Sequence, residues 1–328
     1  MSVASLRRSG AAYKELNVNT KGYDLIGDIH GHADKLVALL ELMGYRHDGV
    51  GYRHPDRQVI FLGDFIDRGP QQRGVLQVVM PMVKSGAALA VMGNHEFNAL
   101  AFHTLDPHRP GQWLRPRNNK NMAQHLAFLA EYVSPNCKHE LDDVLDFFRS
   151  LPLWLDLDGL RVVHACWHPL YIEMMETRTP HDNTLTPELL VAASTAGEPA
   201  YEAIETLLKG VEIELPDGGV FFDKDGNARS RVRTQWWIKK NSTLGEVCMP
   251  IDVLEESIAN HPVAASDLLG YPESEKPVFV GHYWLKGQPT KLADNVACLD
   301  YSVAKGGKLV AYRWQGEAVL VNEHFCGV

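Results

Sequence analysis

The sequence has few of the features that mark secreted or membrane proteins. Its five cysteines are scattered and show no CxxC spacing, which fits free thiols in a reducing compartment better than a disulfide framework. No apolar run is long enough to span a bilayer. Arg7 and Arg8 stand in the segment 1–22, but no apolar stretch follows them, so we expect no signal peptide. These absences favour a cytoplasmic protein without a membrane partner.

Positive charge is also in short supply. The chain of 328 residues has 41 acidic against 32 basic residues and a net charge of -9. It therefore has no sequence-wide basic field that could attract a nucleic acid polymer. A phosphorylated substrate would need help from metal ions or from local arginines. The composition is that of a globular protein, with 45% hydrophobic and 22% charged residues.

In the first third of the chain, a short apolar run is followed three times by a segment whose apolar residues have helical spacing. Right-handed crossovers between such strands would place every strand's carboxyl end on the same side of one sheet. Polar residues just past those ends should therefore converge. The predicted strands are 23–26, 59–62 and 88–92, and the predicted helices are 33–43, 71–80 with Pro81 as its end, and one beginning near His95.

The rest of the chain is less regular. We expect a helical insertion at about 104–150, a cap or substrate-facing excursion at about 169–277, and one catalytic domain over 23–328 behind an N-terminal extension at 1–22. Further strands are predicted at 153–157, 160–163, 278–280, 297–299, 309–312 and 318–321, the last two joined across the turn Gln315-Gly316.

The strand ends carry side chains that bind metal ions. A single carboxylate can bridge two cations about 3.5–4 Å apart, and such a pair can hold a bridging hydroxide for in-line attack on phosphorus. Asp64 is the expected bridge. Mixed carboxylate, amide and imidazole ligands suit Mn, Fe or Zn, whereas the missing cysteine pairs exclude an all-thiolate zinc site. The candidate ligands are Asp28, His30, Asp64, Asn94, His164 and His282.

These residues belong to recognisable short sequence motifs. The chain reads GDIHG at 27–31, GDFIDRG at 63–69 and GNHE at 93–96, followed by a strand-end histidine at 164 and a Gly-His pair at 281–282. In this order they resemble the calcineurin-like metallophosphoesterases. The closer likeness is to the phosphoprotein phosphatase (PPP) family and its bacterial branch, which includes symmetrical bis(5'-nucleosyl)-tetraphosphatases. The resemblance implies an α/β fold in which two mixed β-sheets are sandwiched and flanked by helices, here with a helical cap insertion.

The resemblance also implies roles for individual residues. Two divalent transition-metal ions, Mn first and Fe or Zn as alternatives, would share Asp64. His95 would be the general acid for the leaving oxygen, oriented and kept protonated by Asp67, and Arg68 would grip the phosphoryl oxygens. The first metal ion would be held by Asp28, His30 and Asp64, and the second by Asp64, Asn94, His164 and His282.

The chain departs from the family pattern in ways that bear on the substrate. Cys166-Trp167 stands where protein phosphatases have two glycines, and this bulk favours a small substrate. A second phosphate-binding arginine is expected among Arg229, Arg231 and Arg233, which alternate as one face of a strand would, so a solvated edge is an equal alternative. The role of Asp300 stays open.

Simpler interpretations apply to several other residues. Trp236-Trp237 could stack a nucleobase, but a core position is the more common outcome. Cys166 could be a redox-sensitive thiol, although packing is the usual role of a cysteine in that setting. Four histidines are expected to be surface or satisfied core residues: His32, His103, His125 and His168.

The predicted activity is hydrolysis of phosphate monoesters or phosphoanhydrides by a metal-dependent phosphatase, without a covalent intermediate. The substrate is a phosphorylated small molecule, such as a dinucleoside polyphosphate, or a phosphoserine or phosphothreonine protein. A non-catalytic metal-binding scaffold is the alternative from another class, and the presence of both His95 and Asp67 beside a full ligand set argues against it.

Overall fold

The structure is a computed structural model that describes residues 21–222, 228–249 and 254–328. The predicted N-terminal extension lies outside the described residues except for its last two, and Gly22 already belongs to the first strand. No helix among the described residues is long and apolar enough to cross a membrane.

The strands and helices follow each other along the chain with short connections. In chain order the strands are β1 (Gly22–Ile26), β2 (Arg46–His47), β3 (Tyr52–Arg53), β4 (Arg57–Phe61), β5 (Ala88–Ala90), β6 (Trp154–Leu157), β7 (Leu160–Val163), β8 (Glu212–Glu214), β9 (Phe221–Phe222), β10 (Ala228–Arg229), β11 (Arg231–Arg233), β12 (Ser242–Thr243), β13 (Pro262–Val263), β14 (Val278–Val280), β15 (Val296–Cys298), β16 (Asp300–Tyr301), β17 (Lys308–Trp314) and β18 (Phe325–Gly327). The α-helices are α1 (Ala33–Leu42), α2 (Gln72–Lys84), α3 (Asn94–His103), α4 (Asn119–Tyr132), α5 (Lys138–Arg149), α6 (Pro169–Glu176), α7 (Pro187–Ala193), α8 (Pro199–Lys209), α9 (Leu244–Val247) and α10 (Glu256–Ala259).

Two mixed sheets make up the centre of the fold. The first has the strand order β16-β17-β1-β4-β5, with β18 also paired to β17, and the second has the order β15-β14-β7-β6. Strand β1 pairs in parallel with β4 and antiparallel with β17, and β7 pairs in parallel with β14 and antiparallel with β6. The predicted fold class is confirmed.

The main strands of the first sheet are buried on both faces, which explains why they read as continuous apolar runs. Leu25 and Ile60 belong to an inner core that also contains Val162 and Phe279 of the second sheet. Their sequence neighbours Ile26 and Phe61 point the other way, into the core formed with the helices. Each fully buried side chain of this size contributes about 1.5–3 kcal/mol of hydrophobic stabilisation.

The parallel strands bring their carboxyl ends to one edge of the sandwich. Three of these ends belong to β1, β4 and β5 of the first sheet, which pair in parallel. The ends of β7 and β14 come from the second sheet. His164 follows β7 and donates its Nδ1–H to the carbonyl of Leu62, the residue after β4, at 2.7 Å. This hydrogen bond joins the two sheets where the predicted ligands converge.

Helix α2 is longer than the sequence predicts. It runs from Gln72 to Lys84 and passes through Pro81, so the predicted end at Pro81 is wrong. A proline removes one intrahelical donor, and the burial of Met82 just beyond it favours continuation of the helix. The Pro81 carbonyl still accepts the N–H of Ser85, which closes the helix.

The predicted strand at 318–321 is also wrong, because those residues form no strand. Glu317 closes the turn instead. Its carboxylate accepts the N–H of Gln315 at 2.7 Å and the hydroxyl of Tyr312 at 2.8 Å, and its carbonyl accepts Trp314 Nε1–H. The partner of β17 is β18, which pairs Tyr312 with Phe325. Side-chain hydrogen bonds of this kind compete with a hairpin ladder.

The two regions expected to be insertions differ in structure. The region 104–150 contains α4 and α5. The region 169–277 begins with three helices and continues as short paired strands, including the pair β8–β11.

Candidate dinuclear metal centre

Asp64 lies at the centre of the converging strand ends. Its carboxylate belongs to two groups of possible ligand atoms, one with His30 and His95 and one with His164 and His282. Within each group, all ligand atoms lie within 4.8 Å of one another. Asp64 Oδ2 is 3.7 Å from His30 Nε2 and 3.4 Å from His164 Nε2. This is the position that a bridging carboxylate must occupy.

The remaining predicted ligands border the same space. Asp28 Oδ2 is 3.9 Å from His30 Nε2, and Asn94 Oδ1 is 3.2 Å from His164 Nε2. Asp28 also accepts the backbone N–H of His282 at 3.1 Å. The structure therefore brings together all six residues that the sequence nominates as metal ligands.

Two of the histidines have their tautomers fixed by backbone carbonyls. His30 donates Nδ1–H to the Ile66 carbonyl at 3.0 Å, and His164 donates Nδ1–H to the Leu62 carbonyl. A carbonyl can only accept, so the neutral imidazole carries its lone pair on Nε2. These are the atoms that face Asp64, and hydrogen bonds of this kind orient metal-binding histidines.

The donor set fits divalent cations. His30 Nε2 and His282 Nε2 are buried and have no hydrogen-bond partner. Burial, together with the neighbouring His95, lowers the pKa of His30 to about 4, and burial holds the pKa of His282 well below its usual range. Both imidazoles are therefore neutral near pH 7, which is the form that binds metals.

The pKa shifts of Asp28 and His164 are also consistent with a bound divalent cation. Burial and the adjacent Asp300 carboxylate raise the pKa of Asp28, a penalty that a bound cation removes. At His164, burial lowers the pKa but Asp64 raises it more, to about 10. Since ligand imidazoles must be deprotonated, metal binding at His164 releases a proton.

The backbone at this edge adopts conformations that side chains seldom accept. Six non-glycine residues here have positive φ: His30 (45°), Asp64 (52°), Asp67 (67°), Arg68 (72°), His282 (71°) and Trp284 (54°). Such residues persist only where the surroundings impose them, and they cluster at functional sites. Gly281 is needed for a different reason, because a Cβ atom there would overlap Asp28 Oδ1.

Glu96 ties two of the ligand loops together. It is fully buried and accepts backbone N–H groups from Asp64, Phe65 and Gly93 at 2.8–3.0 Å. Burial and the Asp64 carboxylate raise its pKa above the usual value, and the amide hydrogen bonds oppose that shift. The GNHE word contains this residue, but sequence reasoning assigned it no role.

His95 and Asp67 form the predicted pair. His95 donates Nδ1–H to Asp67 Oδ2 at 2.5 Å, and its Nε2 lies 4.0 Å from Asp64 Oδ2, facing the centre. Its backbone N–H donates to Asp64 Oδ1 at 2.9 Å. Burial lowers the pKa of His95, but Asp64 and Asp67 raise it more, so the net shift is upward.

A second histidine contacts Asp67. His125 on α4 is 5% exposed and donates Nδ1–H to Asp67 Oδ1 at 2.8 Å. His125 is one of the four histidines expected to be surface or satisfied core residues, and it is a buried, hydrogen-bonded residue. Its contact with the candidate acid pair spans 58 residues of sequence. The spacing of apolar residues in α4, which places His125 on a buried face, is the one signal that pointed towards it.

A half-buried tryptophan stands beside the ligands. The Trp284 ring stacks on His30 with centroids 5.6 Å apart, and the cations of Arg68 and Lys305 lie 5.5 and 4.7 Å from its centroid. Asp300 accepts the backbone N–H of Trp284 at 2.7 Å. Asp300 therefore holds the Trp284 backbone in place, whereas sequence reasoning left its role open and missed Trp284 and Lys305.

The three candidate arginines differ in position. Arg229 and Arg231 are exposed, and Arg231 donates to the Glu212 carbonyl. Arg233 is half-buried, its Nε has no hydrogen-bond partner, and its charge lowers the pKa of His282 after the larger effect of burial. Arg233 is therefore close enough for its charge to act on a candidate ligand.

The tryptophan pair and Cys166 belong to the core. Trp236 is fully buried and donates Nε1–H to the Ala165 carbonyl, and Trp237 is 7% exposed. Burial raises the pKa of the Cys166 thiol well above its usual value, which makes it unreactive. Cys166 and Trp167 are both buried, so their side chains do not narrow the approach to the candidate ligands. The small-substrate argument drawn from them is not supported.

A sequence model of the calcineurin-like phosphoesterase family matches residues 23–203, more than half of the chain. The chain belongs to this family. Its match begins at β1 and includes five of the six candidate ligands, all except His282. The family membership and the resemblance inferred from the GDIHG, GDFIDRG and GNHE words are confirmed.

Curated relatives of this phosphoesterase are named for dinucleotide hydrolysis. The chain is 45% identical over 74 residues to the asymmetrical bis(5'-nucleosyl)-tetraphosphatase PrpE of Halalkalibacterium halodurans, covering 22% of this chain and 30% of that protein. It is 32% identical over 151 residues to the PrpE protein of Oceanobacillus iheyensis, covering 43% of this chain and 54% of that protein. The chain therefore spans only a third to a half of these relatives' length.

A more distant relative aligns over most of both chains. The symmetrical bis(5'-nucleosyl)-tetraphosphatase of an Enterobacter species is 23% identical over 310 residues, covering 91% of this chain and 93% of that protein.

Proposed function

We propose that this chain is a two-metal phosphoesterase that hydrolyses phosphate monoesters or phosphoanhydrides, with nucleoside polyphosphates as its substrate class. The observation that carries the proposal is the position of Asp64 between two groups of buried ligand atoms. Two divalent ions bound there, Mn first and Fe or Zn as alternatives, would polarise the phosphoryl oxygens and activate the attacking water.

His95 supplies the proton that the leaving group needs. Asp67 accepts Nδ1–H and favours the protonated imidazolium, whose Nε2–H then faces the centre. As the oxygen of water forms the new bond to phosphorus, the bond to the leaving oxygen breaks. That oxygen keeps the electron pair and takes the Nε2 proton, while the proton of the attacking water passes to solvent. A positioned general acid of this kind accelerates reactions by about 10²–10⁴-fold.

Two arginines bind the phosphoryl oxygens in this proposal. Arg68 lies beside Trp284 at the rim, and its charge reaches both His30 and His95. Arg233 approaches from β11 on the side of His282. We assign the second phosphate ligand to Arg233 because its charge reaches a metal ligand and it is more buried than Arg229 or Arg231.

The substrate class rests on the rim of the site and on the names of the relatives. Trp284 presents a half-buried aromatic ring beside the ligands, with cations of Arg68 and Lys305 at its face. An aromatic ring flanked by cations suits a group that combines a base with phosphates, because bases stack on aromatic side chains and phosphates pair with cations. Monoesters that lack a base gain nothing from that ring.

The test compares kcat/KM for diadenosine tetraphosphate and for a phosphothreonine peptide, using protein loaded with Mn. We expect the dinucleotide to be hydrolysed at least as efficiently as the peptide. A clear preference for the peptide would instead indicate a serine/threonine protein phosphatase. If the protein binds two metal ions but hydrolyses neither substrate nor phenyl phosphate, it is a metal-binding scaffold and the proposal fails.

A further inference from the structure

The carboxylate of Asp67 is held on both sides by histidines. Oδ2 accepts Nδ1–H of His95 at 2.5 Å, and Oδ1 accepts Nδ1–H of His125 at 2.8 Å. Each oxygen thus has its own partner, and the two bonds together fix the rotation of the carboxylate plane. With His95 alone, the carboxylate could rotate while keeping one bond.

The His125 ring is itself held firmly by α3 and α4. It stacks on Phe128 at 4.8 Å with an interplanar angle of 20°, and it meets Phe102 edge to face at 5.1 Å. His103 lies against it at 5.6 Å. Packing of this kind restricts the rotamer of a buried ring, so His125 presents its donor in one direction.

Burial alone would raise the pKa of Asp67. The hydrogen bonds from His125 and His95 outweigh burial and hold that pKa well below its usual range. Asp67 is therefore ionised and can only accept, so both hydrogen bonds are donated by imidazole Nδ1–H groups.

The space around this contact is too small for a substrate group. A cavity of about 10 Å³ borders Asp67, His95, His125 and Arg115, room for roughly one water molecule. His125 Nε2 is buried and has no partner. His125 therefore reaches the candidate acid pair through its hydrogen bond to Asp67.

We propose that His125 is a positioning residue for the general acid, which acts by clamping Asp67 so that His95 Nε2 faces the leaving oxygen. This inference rests on the proposed function above. His95 gives up its Nε2 proton to the leaving oxygen, while Asp67 and His125 neither gain nor lose a proton. The helical insertion thereby supplies a part of the acid machinery that the three short sequence words do not contain.

The test uses pairs of variants that differ in their donor. His125→Leu and His125→Met replace the imidazole by an apolar side chain without a donor, whereas His125→Asn retains a hydrogen-bond donor, the side-chain amide, near the same place. His103→Leu is the matched control, because it removes a histidine that contacts His125 and, in the described structure, has no hydrogen bond to Asp67. Turnover is measured on phenyl phosphate, which has a poor leaving group, and on nitrophenyl phosphate, which barely needs a proton.

We expect the donor-free variants to lose about 10- to 100-fold in kcat/KM on phenyl phosphate, the usual effect of removing a residue that orients a functional side chain, and less than about threefold on nitrophenyl phosphate. His125→Asn and His103→Leu should stay within about threefold of wild type on both. Metal content should be the same in all variants. Equal losses on the two esters, or loss of metal from the donor-free variants, would overturn the proposal.

A readout independent of turnover comes from proton NMR of the zinc-loaded protein, since Zn²⁺ is diamagnetic. Two downfield imidazole protons should report the two bonds to Asp67. His125→Leu and His125→Met should remove the His125 signal and shift that of His95, whereas His125→Asn should remove the His125 signal and leave the His95 proton near its wild-type position. A His95 proton that is unmoved in either donor-free variant would contradict the clamp. Wild-type protein that is inactive on both esters and on diadenosine tetraphosphate would count against the proposed function, and the NMR spectra would then decide whether His125 clamps Asp67.

Discussion

Glu96 Oε2 accepts the backbone N–H of Asp64 at 2.8 Å. A buried carboxylate thus sits directly behind the carboxylate that lies between the two ligand groups. Its second oxygen accepts the N–H of Phe65, and Gly93 donates to the first. Because Gly93 precedes the ligand Asn94, one side chain sets the relative position of two ligand loops.

Replacing Glu96 should destabilise the fold even without metal ions. In Glu96→Gln one oxygen can still accept, but the amide NH₂ faces backbone donors. Hydrogen bonds to charged groups contribute about 1.5–3 kcal/mol each, so we expect the free energy of unfolding to fall by about 3 kcal/mol. Urea unfolding in the presence of a chelator measures this. Glu41→Gln on the exposed face of α1 is the control, and an equal change in both variants would remove the special role of Glu96.

Asp64→Asn should remove most of both metal ions, because Asp64 belongs to both ligand groups and an amide is a weaker ligand for divalent cations. Wild-type protein supplied with Mn should contain close to two ions per chain by elemental analysis. Asp34→Asn, in the exposed first turn of α1, should keep the wild-type content. An Asp64→Asn variant with a full pair of ions would show that Asp64 does not bridge.

His95→Asn should reduce turnover by about 10²–10⁴-fold on phenyl phosphate, because the leaving oxygen then lacks its proton donor. The loss should be smaller on nitrophenyl phosphate, and the metal content should not change. Asp67→Asn should give a weaker form of the same pattern, since Asp67 acts through His95. Steady-state kinetics on the two esters measures the difference, and equal losses on both would exclude His95 as the general acid.

Arg233→Gln should raise the barrier by about 1.5–3 kcal/mol, as expected for one charged hydrogen bond. That corresponds to a loss of roughly 10- to 150-fold in kcat/KM. Arg229→Gln on β10 and Arg231→Gln on β11 are the controls and should stay near wild type, because both side chains are exposed. A large effect at either control with a silent Arg233 would transfer the phosphate contact to that residue.

Trp284→Ala should weaken binding of diadenosine tetraphosphate by about 1–3 kcal/mol, the usual contribution of one base stacked on an aromatic ring. Hydrolysis of phenyl phosphate should change less, and Trp284→Phe should retain most of the affinity for the dinucleotide. The ratio of the two KM values measures the effect free of any general damage to His30. An unchanged ratio in Trp284→Ala would remove the ring from substrate recognition.

The strand ends could be predicted because their signals are local. Asp28, Asp64 and Asn94 each follow an apolar run and a glycine, and parallel strands place such residues together. His125 could not be predicted in the same way, because its partner Asp67 is 58 residues away and no short word of sequence links the two. The prediction of a strand at 318–321 was wrong for a related reason. A single side chain, that of Glu317, decides where the chain turns.

The left-handed backbone conformations at the candidate ligands lower the stability of this chain, but they position side chains that the proposed chemistry needs. Asp64, Asp67 and His282 would all be less strained as glycine, and each such conformation costs about 1–3 kcal/mol. A selection for heat resistance alone would therefore favour glycine at these positions and discard the candidate metal ligands. Screens for stabilised variants of this phosphoesterase should keep the six positive-φ residues fixed, and should look for gains on the exposed faces of its helices.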